Sequence, residues 1–331
     1  MSFEPIFLFS FIISSTLAFF TSALVVELII RFSNLKKYRL NYLLRFLPFV
    51  SVLIEFLTFE YSIGNWLNPL SCYSCVQKVL LGTFFPNLQI YLQNNEISLV
   101  KYLSFQDSYN IGLYSVVIIG SIAFLKIYRT LLITLQANTY INDVIANGSN
   151  ILYPMLSTPL KLQLESNNVL VVESSAIHIP LATYLKTIVI PSHLKNLSDE
   201  ELEAVIAHEY EHVLWKDPQA KFLINIFSAV FWWIPTQYWI DKIEEDQEMS
   251  CDQGIQKYHL IEENLASAIV KIASGIKDRK LMNTCYLTQK GSQILKRVRI
   301  LMKSNSKEKF SILSLAITST GLLIAALCLF S

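Results

Sequence analysis

The stretch Ala207-His208-Glu209-Tyr210-Glu211-His212 decides the fold, because it has the pattern H-E-x-x-H. On a helix, residues four apart lie on one face, so His208 and His212 can bind one metal ion together. Two imidazoles suit zinc, which leaves a coordination position open for water. Glu209 lies beside them, where its carboxylate could take a proton from that water. The alternative is an ordinary helix with two core histidines.

The sequence around this motif predicts a helix with the motif near its middle. Ser198 and Glu201 have the spacing of a capping box just upstream. Asp217-Pro218 is expected to stop the helix. Apolar residues recur at helical spacing on both sides of the motif, at Leu202, Val205, Ile206, Val213 and Leu214.

A third metal ligand has to come from another part of the chain. The best candidate is Glu248, because Glu248 and Asp252 lie four residues apart and would face one way on a helix. Asp252 could then accept the free ring N–H of a histidine ligand and fix its tautomer. The alternative for Glu248 is a solvated acidic face. The same segment carries four further acidic residues, Asp241, Glu244, Glu245 and Asp246.

Composition points to a membrane protein. Of 331 residues, 53% are hydrophobic, and the mean hydropathy is +0.41. A net charge of +1 gives no indication of a nucleic-acid partner, so we expect no direct nucleic-acid binding. Five cysteines are too few for a disulfide scaffold.

Four stretches approach the ~20 apolar residues that a membrane-spanning helix needs. They run from about Pro5 to Ile30, Leu40 to Phe59, Tyr109 to Ile127 and Ile312 to Phe330. Basic residues concentrate after the first and third spans and before the fourth, which indicates that these loops are cytoplasmic. The segment from Glu60 to Ser108 would then lie outside. Its Cys72 and Cys75 could form a disulfide or remain unpaired thiols.

The predicted domains follow from these spans. Residues 1–127 form an N-terminal membrane region with three transmembrane helices and an outer loop. Residues 128–310 form a cytoplasmic zinc metallopeptidase domain, and residues 311–331 form a C-terminal transmembrane helix. The predicted fold class is a multi-pass α-helical membrane protein with an α+β cytoplasmic, zincin-like metalloprotease domain.

A small sheet is predicted before the H-E-x-x-H helix. The strand candidates are Leu160–Glu165, Val169–Val172, Ile177–Ile179 and Thr187–Ile190. An edge strand beside a zinc site could hold an extended substrate by backbone pairing. His178 is a candidate site residue, although a lone histidine in a strand is more often structural.

The hydrophobic segment 222–240 carries no charge and is long enough to span the bilayer. If it crossed, however, His208 and His212 would lie on the opposite side from Glu248 and could not share a zinc ion. Its tryptophans suit a membrane interface. We therefore predict a membrane-associated segment that lies in or dips into the inner leaflet and turns back at Pro235.

Lys296, Arg297 and Arg299 form a basic patch before the last predicted span. The favoured interpretation is attraction to anionic lipid head groups. The alternative is that an arginine stabilises the oxyanion in the active site.

The order of these motifs resembles the BlaR/MecR-type antirepressor metallopeptidases. The motifs are Ile190-Pro191, Leu197-Ser198-Asp199-Glu200-Glu201-Leu202, His208–His212, Asp217-Pro218, Trp232-Trp233-Ile234-Pro235 and Glu248-x-x-Cys251-Asp252. The resemblance covers roughly Ser174 to Leu301 and the arrangement of three spans before and one after.

This resemblance implies a zinc endopeptidase in the bacterial cytoplasmic membrane that acts at the cytoplasmic face. One zinc per chain would be bound by His208, His212 and Glu248, with Glu209 catalytic. The protein substrate would be the chain itself or a transcriptional repressor. The sequence ends at Ser331, so we expect no penicillin-binding sensor domain, and the activating signal stays open.

Two alternatives remain at this point. One is a housekeeping membrane protease of the quality-control or prenyl-protein-processing type. The other is a non-catalytic membrane receptor with a relic protease fold, against which the intact set of site residues argues. The sequence does not predict the oligomeric state.

Overall fold

The structure is a computed structural model that describes residues 5–33, 38–62, 108–150, 156–277 and 284–303. The predictions for Cys72 and Cys75 and for a fourth span at Ile312–Phe330 lie outside the described residues.

The described N-terminal region is helical. Its helices are α1 (Pro5–Ser33), α2 (Tyr38–Leu44), α3 (Leu47–Ser62) and α4 (Ser108–Ala146). Three segments are long and apolar enough to cross a membrane, namely Phe11–Phe32, Tyr38–Leu57 and Tyr114–Ala146. These segments overlap the first three predicted spans.

Helix α4 is longer than the span predicted for it. The predicted span ends near Ile127, whereas the helix continues to Ala146, about 28 Å further along its axis. Neither glycine nor proline occurs between Lys126 and Asn147, so nothing in this part of the sequence interrupts the helix. The first residues of the predicted cytoplasmic domain, 128–146, therefore belong to α4.

A four-stranded sheet follows. Its strands are β1 (Ser149–Asn150), β2 (Leu170–Ser174), β3 (Leu181–Ala182) and β4 (Thr187–Pro191), in the order β1-β2-β4-β3. The central strands β2 and β4 are parallel, with Val172 opposite Val189. Strands β1 and β3 are antiparallel edges. Every residue of β4 is buried, as expected for a central strand with both faces covered.

Two of the predicted strands are wrong. The segment Leu160–Glu165 lies in helix α5 (Thr158–Ser166). Leu160 and Leu164, four residues apart, are buried, while Leu162 is 59% exposed, so the apolar face has helical spacing. Pro159 in the first turn favours the helix as well. The segment Ile177–Ile179 forms bends between β2 and β3 and belongs to neither strand.

The motif helix is buried on nearly all sides in the core of the domain. The remaining helices are α6 (Asp199–Leu214), α7 (Asp217–Val230), α8 (Gln237–Gly254), α9 (Glu262–Lys277) and α10 (Thr284–Leu301). Ile206 and Tyr210 on α6 are fully buried in one cluster with Leu160 of α5, Ile188 of β4 and Leu265 of α9. This packing fixes α6, and hence the direction in which its histidines project.

The segment 222–240 forms a helical hairpin. Helix α7 ends at Val230, and residues 231–236 turn back into α8. Lys221 and Glu244 form an ion pair between the two arms. The predicted reversal near Pro235 is therefore confirmed, and it brings Glu248 back toward the end of α6.

The hairpin shares one apolar core with the N-terminal helices. Phe227 of α7 packs edge-to-face on Phe49 of α3, with 4.8 Å between ring centroids. Trp239 of α8 packs in the same way on Phe19 of α1, at 6.4 Å. The helix that carries Glu248 is thus packed directly on the candidate membrane helices.

Candidate metal centre

The start of α6 is fixed by the predicted capping box. The backbone N–H of Glu201 donates to Ser198 Oγ at 3.2 Å, and the backbone N–H of Ser198 donates to Glu201 Oε2 at 2.8 Å. Lys271 on α9 also donates to Glu201 Oε2, at 2.7 Å. This confirms the capping prediction and ties the first turn of α6 to α9.

Three side chains from two helices converge at the middle of α6. His208 Nε2 and His212 Nε2 lie 3.2 Å apart. Glu248 on α8 places Oε2 at 3.4 Å from His208 Nε2 and Oε1 at 3.8 Å from His212 Nε2. One ligand atom from each of the three residues lies within 4.8 Å of the others. Two imidazole nitrogens and one carboxylate oxygen match the donor set of a catalytic zinc site.

Each histidine is backed by a carboxylate on its other ring nitrogen. His208 Nδ1 lies 3.0 Å from Asp252 Oδ1, and His212 Nδ1 lies 2.8 Å from Asp217 Oδ2. Both carboxylates are almost fully buried. A carboxylate at Nδ1 turns Nε2 of the ring toward the metal position, so the structure fits a bound metal ion.

Asp252 lies where the sequence analysis expected it, whereas the role of Asp217 was missed. Asp217 was interpreted only as part of a helix stop. Lys216 adopts a left-handed conformation with φ 55°, which allows a tight turn between α6 and α7 and returns Asp217 to His212. The only sequence signal was an acidic residue five positions after a histidine ligand candidate.

Arg297 of α10 lies in this site, which corrects the favoured lipid-binding interpretation for that residue. Its Nη1 lies 2.8 Å from Glu248 Oε2. Its Nη2 donates to Asp252 Oδ1 at 2.8 Å and lies 3.4 Å from His208 Nε2. A guanidinium suits such paired carboxylates because its donors form a planar fork.

The other predicted contacts fall outside this cluster. Lys296 pairs with Glu245. Arg299 is exposed, and no contact with His208, His212 or Glu248 is found for it within the described ranges. His178 is also exposed and lies beside His193, with 6.0 Å between ring centroids. Of these three predicted residues, the structure places Arg297 at the candidate metal site but neither Arg299 nor His178.

Charge in the site favours a bound cation. Burial lowers the pKa of His208, but the carboxylates of Asp252 and Glu248 outweigh burial and raise that pKa to about 10. Burial raises the pKa of Glu248, but Arg297 and the two histidines hold it well below its usual range. The carboxylates that stabilise a proton on His208 would equally stabilise a divalent metal ion.

Cys251 gives a second grouping of ligand types, with His212 and Asp217. Its Sγ lies 3.4 Å from His212 Nδ1. Burial, and then the carboxylate of Asp217, raise the pKa of the thiol well above its usual range. Asp217 already contacts His212 Nδ1 at 2.8 Å, whereas Glu248 lies near the Nε2 atoms of both rings, so His208, His212 and Glu248 are the better ligand set.

Comparison with known proteins agrees with this geometry. The profile of the family described as BlaR1 peptidase M56 matches residues 7–301. The chain belongs to this M56 peptidase family. This match confirms the family resemblance predicted from the motifs. Peptidases of this family are metalloproteases, generally with zinc.

The M56 chain is also similar to curated proteins of staphylococci. The methicillin resistance mecR1 proteins of Staphylococcus aureus (strain Mu50 / ATCC 700699) and Staphylococcus epidermidis are each 29% identical to it over 179 residues. The match covers 50% of this chain but only 30% of each relative. The M56 chain thus belongs to a metallopeptidase family and matches less than a third of the length of these relatives.

Proposed function

We propose that this M56 peptidase is an integral-membrane zinc endopeptidase that performs regulatory proteolysis at the cytoplasmic face of a bacterial membrane. The observation that carries the proposal is the convergence of His208, His212 and Glu248, whose ligand atoms lie within 4.8 Å of one another. Glu209 follows the first histidine directly and is half-buried beside the site. A relic fold would have no physical need to keep the three ligand side chains together, or to keep Glu209 directly after His208.

The roles of the residues follow from their chemistry. His208, His212 and Glu248 would hold one zinc ion per chain. Zinc, when bound, supplies Lewis-acid chemistry by polarising the scissile carbonyl. Glu209 would accept a proton from the attacking water and deliver it to the leaving amine. Asp252 and Asp217 would keep Nε2 of each histidine directed at the metal.

The contacts of Arg297 support an orienting role. Its guanidinium contacts both Asp252 and Glu248. It therefore fixes the proposed ligand Glu248 relative to Asp252, the carboxylate that contacts His208. The exposed backbone edge of β3 could bind an extended substrate, because β3 is an edge strand near α6.

The membrane topology that we propose places the metallopeptidase domain in the cytoplasm. Arg39, in the first turn of α2, donates to Ser250 Oγ of α8 at 3.3 Å. The start of α2, which the positive-inside rule places on the cytoplasmic side, therefore contacts the helix that carries Glu248. This contact supports the same side for both.

The similarity to the mecR1 proteins favours regulatory over housekeeping proteolysis. We propose that the substrate is the chain itself or a transcriptional repressor. The test is to express the chain in bacterial membranes, alone and together with any winged-helix repressor found to be encoded beside its gene, and to follow the proteins by mass spectrometry. Fragments that vanish with a zinc chelator and return with added zinc would support the proposal. Identical fragments with and without zinc would contradict it.

A further inference from the structure

Helix α2 and the turn that follows it direct three side chains at the helices that carry the candidate metal site. Arg39, Tyr42 and Arg45 are spaced three residues apart and so lie on one helical face. Arg39 donates to Ser250 Oγ, Tyr42 donates to Asp217, and Arg45 donates to Asp246. The same helix belongs to the second candidate membrane segment, Tyr38–Leu57.

The contact made by Tyr42 bears directly on a metal ligand. Tyr42 Oη donates to Asp217 Oδ1 at 3.1 Å, while Asp217 Oδ2 lies 2.8 Å from His212 Nδ1. Both Tyr42 and Asp217 are buried, at 4% and 2% exposure. Since one carboxylate oxygen faces each partner, the phenol restricts rotation of the carboxylate that orients the His212 ring.

Arg45, in the turn directly after α2, contacts the helix that carries Glu248, the proposed third ligand. Arg45 is 4% exposed, and it bridges Asp246 on α8 and Glu27 on α1, the latter at 2.9 Å. The indole N–H of Trp239 on α8 also donates to the Arg45 carbonyl at 2.8 Å. Asp246 lies two residues before Glu248, so α2 is linked both to the carboxylate behind His212 and to the helix of Glu248.

We propose that Tyr42 is a positioning residue for His212, and that α2 is the element through which the membrane helices set the geometry of the metal site. The inference rests on the proposed zinc function. Helix α3 follows α2 after a turn at Arg45–Phe46, so a tilt of α3 would displace the phenol from Asp217. The carboxylate would then lose one of the two partners that fix it, and His212 would be held less firmly toward the metal.

The test compares zinc affinity of the full chain and a Tyr42→Phe variant in detergent, by competition with a chromogenic zinc chelator. Phenylalanine keeps the ring that packs edge-to-face on Phe46 at 5.2 Å and removes only the hydroxyl. We expect zinc to bind measurably more weakly, but by less than the about 10- to 100-fold lost when a partner of the ligand itself is removed, because Tyr42 reaches His212 only through Asp217. The matched control is Tyr210→Phe, because Tyr210 is a buried phenol on α6 whose hydroxyl donates to the Gln163 carbonyl. That variant should keep the affinity of the parent.

A double-variant comparison shows whether Tyr42 acts through Asp217. In an Asp217→Ala background, Tyr42→Phe should cause no further loss of zinc affinity. Unchanged affinity in Tyr42→Phe, or an equal loss in both backgrounds, would overturn the inference. A parent chain that binds no zinc would instead refute the proposed function, so the two failures are distinguishable.

Discussion

Arg297 donates hydrogen bonds to both carboxylate oxygens of Asp252, from Nε to Oδ2 at 2.9 Å and from Nη2 to Oδ1 at 2.8 Å. Asp252 Oδ1 also lies 3.0 Å from His208 Nδ1. A single buried carboxylate therefore joins α10, α8 and α6. The candidate metal site therefore depends on α10 as well as on the two helices that supply the proposed ligands.

Removing the guanidinium should destabilise the fold even without metal. Asp252 has a side-chain exposure of 3%, so Arg297→Ala leaves a buried charge without its main partner. We expect the free energy of unfolding of the zinc-free protein to fall by about 3–5 kcal/mol, measured by denaturant titration in detergent. Arg299→Ala, on the exposed side of the same helix, should stay within about 0.5 kcal/mol of the parent. Equal stability of the two variants would show that the Arg297–Asp252 pair gives no net stabilisation.

Glu248 should be required for metal binding. The parent should hold about one zinc per chain, and Glu248→Ala should lower the zinc content measured by elemental analysis after dialysis, because it removes one of three ligands. Glu244→Ala is the matched control, since Glu244 is one turn earlier on α8 and pairs with Lys221. Full zinc content and full activity in Glu248→Ala would mean that the third ligand is another residue.

Glu209 should be needed for proteolysis but not for metal binding. Glu209→Gln keeps the size and the hydrogen bonding of the side chain but removes the base. The variant should hold zinc like the parent, while cleavage falls by a factor of at least ~100, the scale of lost general-base catalysis. Self-cleavage, or cleavage of the repressor, would be followed in matched membranes of both forms. Undiminished cleavage would favour a non-catalytic receptor accompanied by a contaminating protease.

The hairpin of α7 and α8 should not cross the membrane. Single cysteines at Lys221 and Glu244, which pair between the two arms, should both react with a membrane-impermeant maleimide only from the cytoplasmic side. The background would keep Cys251 as its only other cysteine, because it is buried. Asn94→Cys, in the segment that we propose to lie outside, is the opposite control. If either arm is labelled from outside, both the topology and the cytoplasmic placement of the site are wrong.

Local sequence patterns were sufficient where the interaction partners are close along the chain. The capping box joins residues three apart, and the His208–His212 and Glu248–Asp252 pairs each span one helical turn, so helical geometry alone brings each pair together. The reversal of the segment 222–240 was also predictable, because a straight span would have separated the ligands. The alternating pattern of Leu160–Glu165 led to a wrong strand prediction. Its leucines stand at every second position, but the first and third also lie four residues apart, which fits a helix whose middle leucine is exposed.

The tertiary structure decided the contacts between residues that are distant in the sequence. Arg297 and Asp252 are 45 residues apart, and Tyr42 and Asp217 are 175 apart. No periodicity relates such positions, because their proximity arises from the packing of α2 and α10 against the metallopeptidase helices. The sequence by itself therefore determined the family of the chain and was enough to propose a zinc site, its ligand residues and its base. Only the folded chain decided which side chains hold the proposed ligands in place. Burial excludes water, so each carboxylate pairs with the hydrogen-bond donors that tertiary packing places beside it.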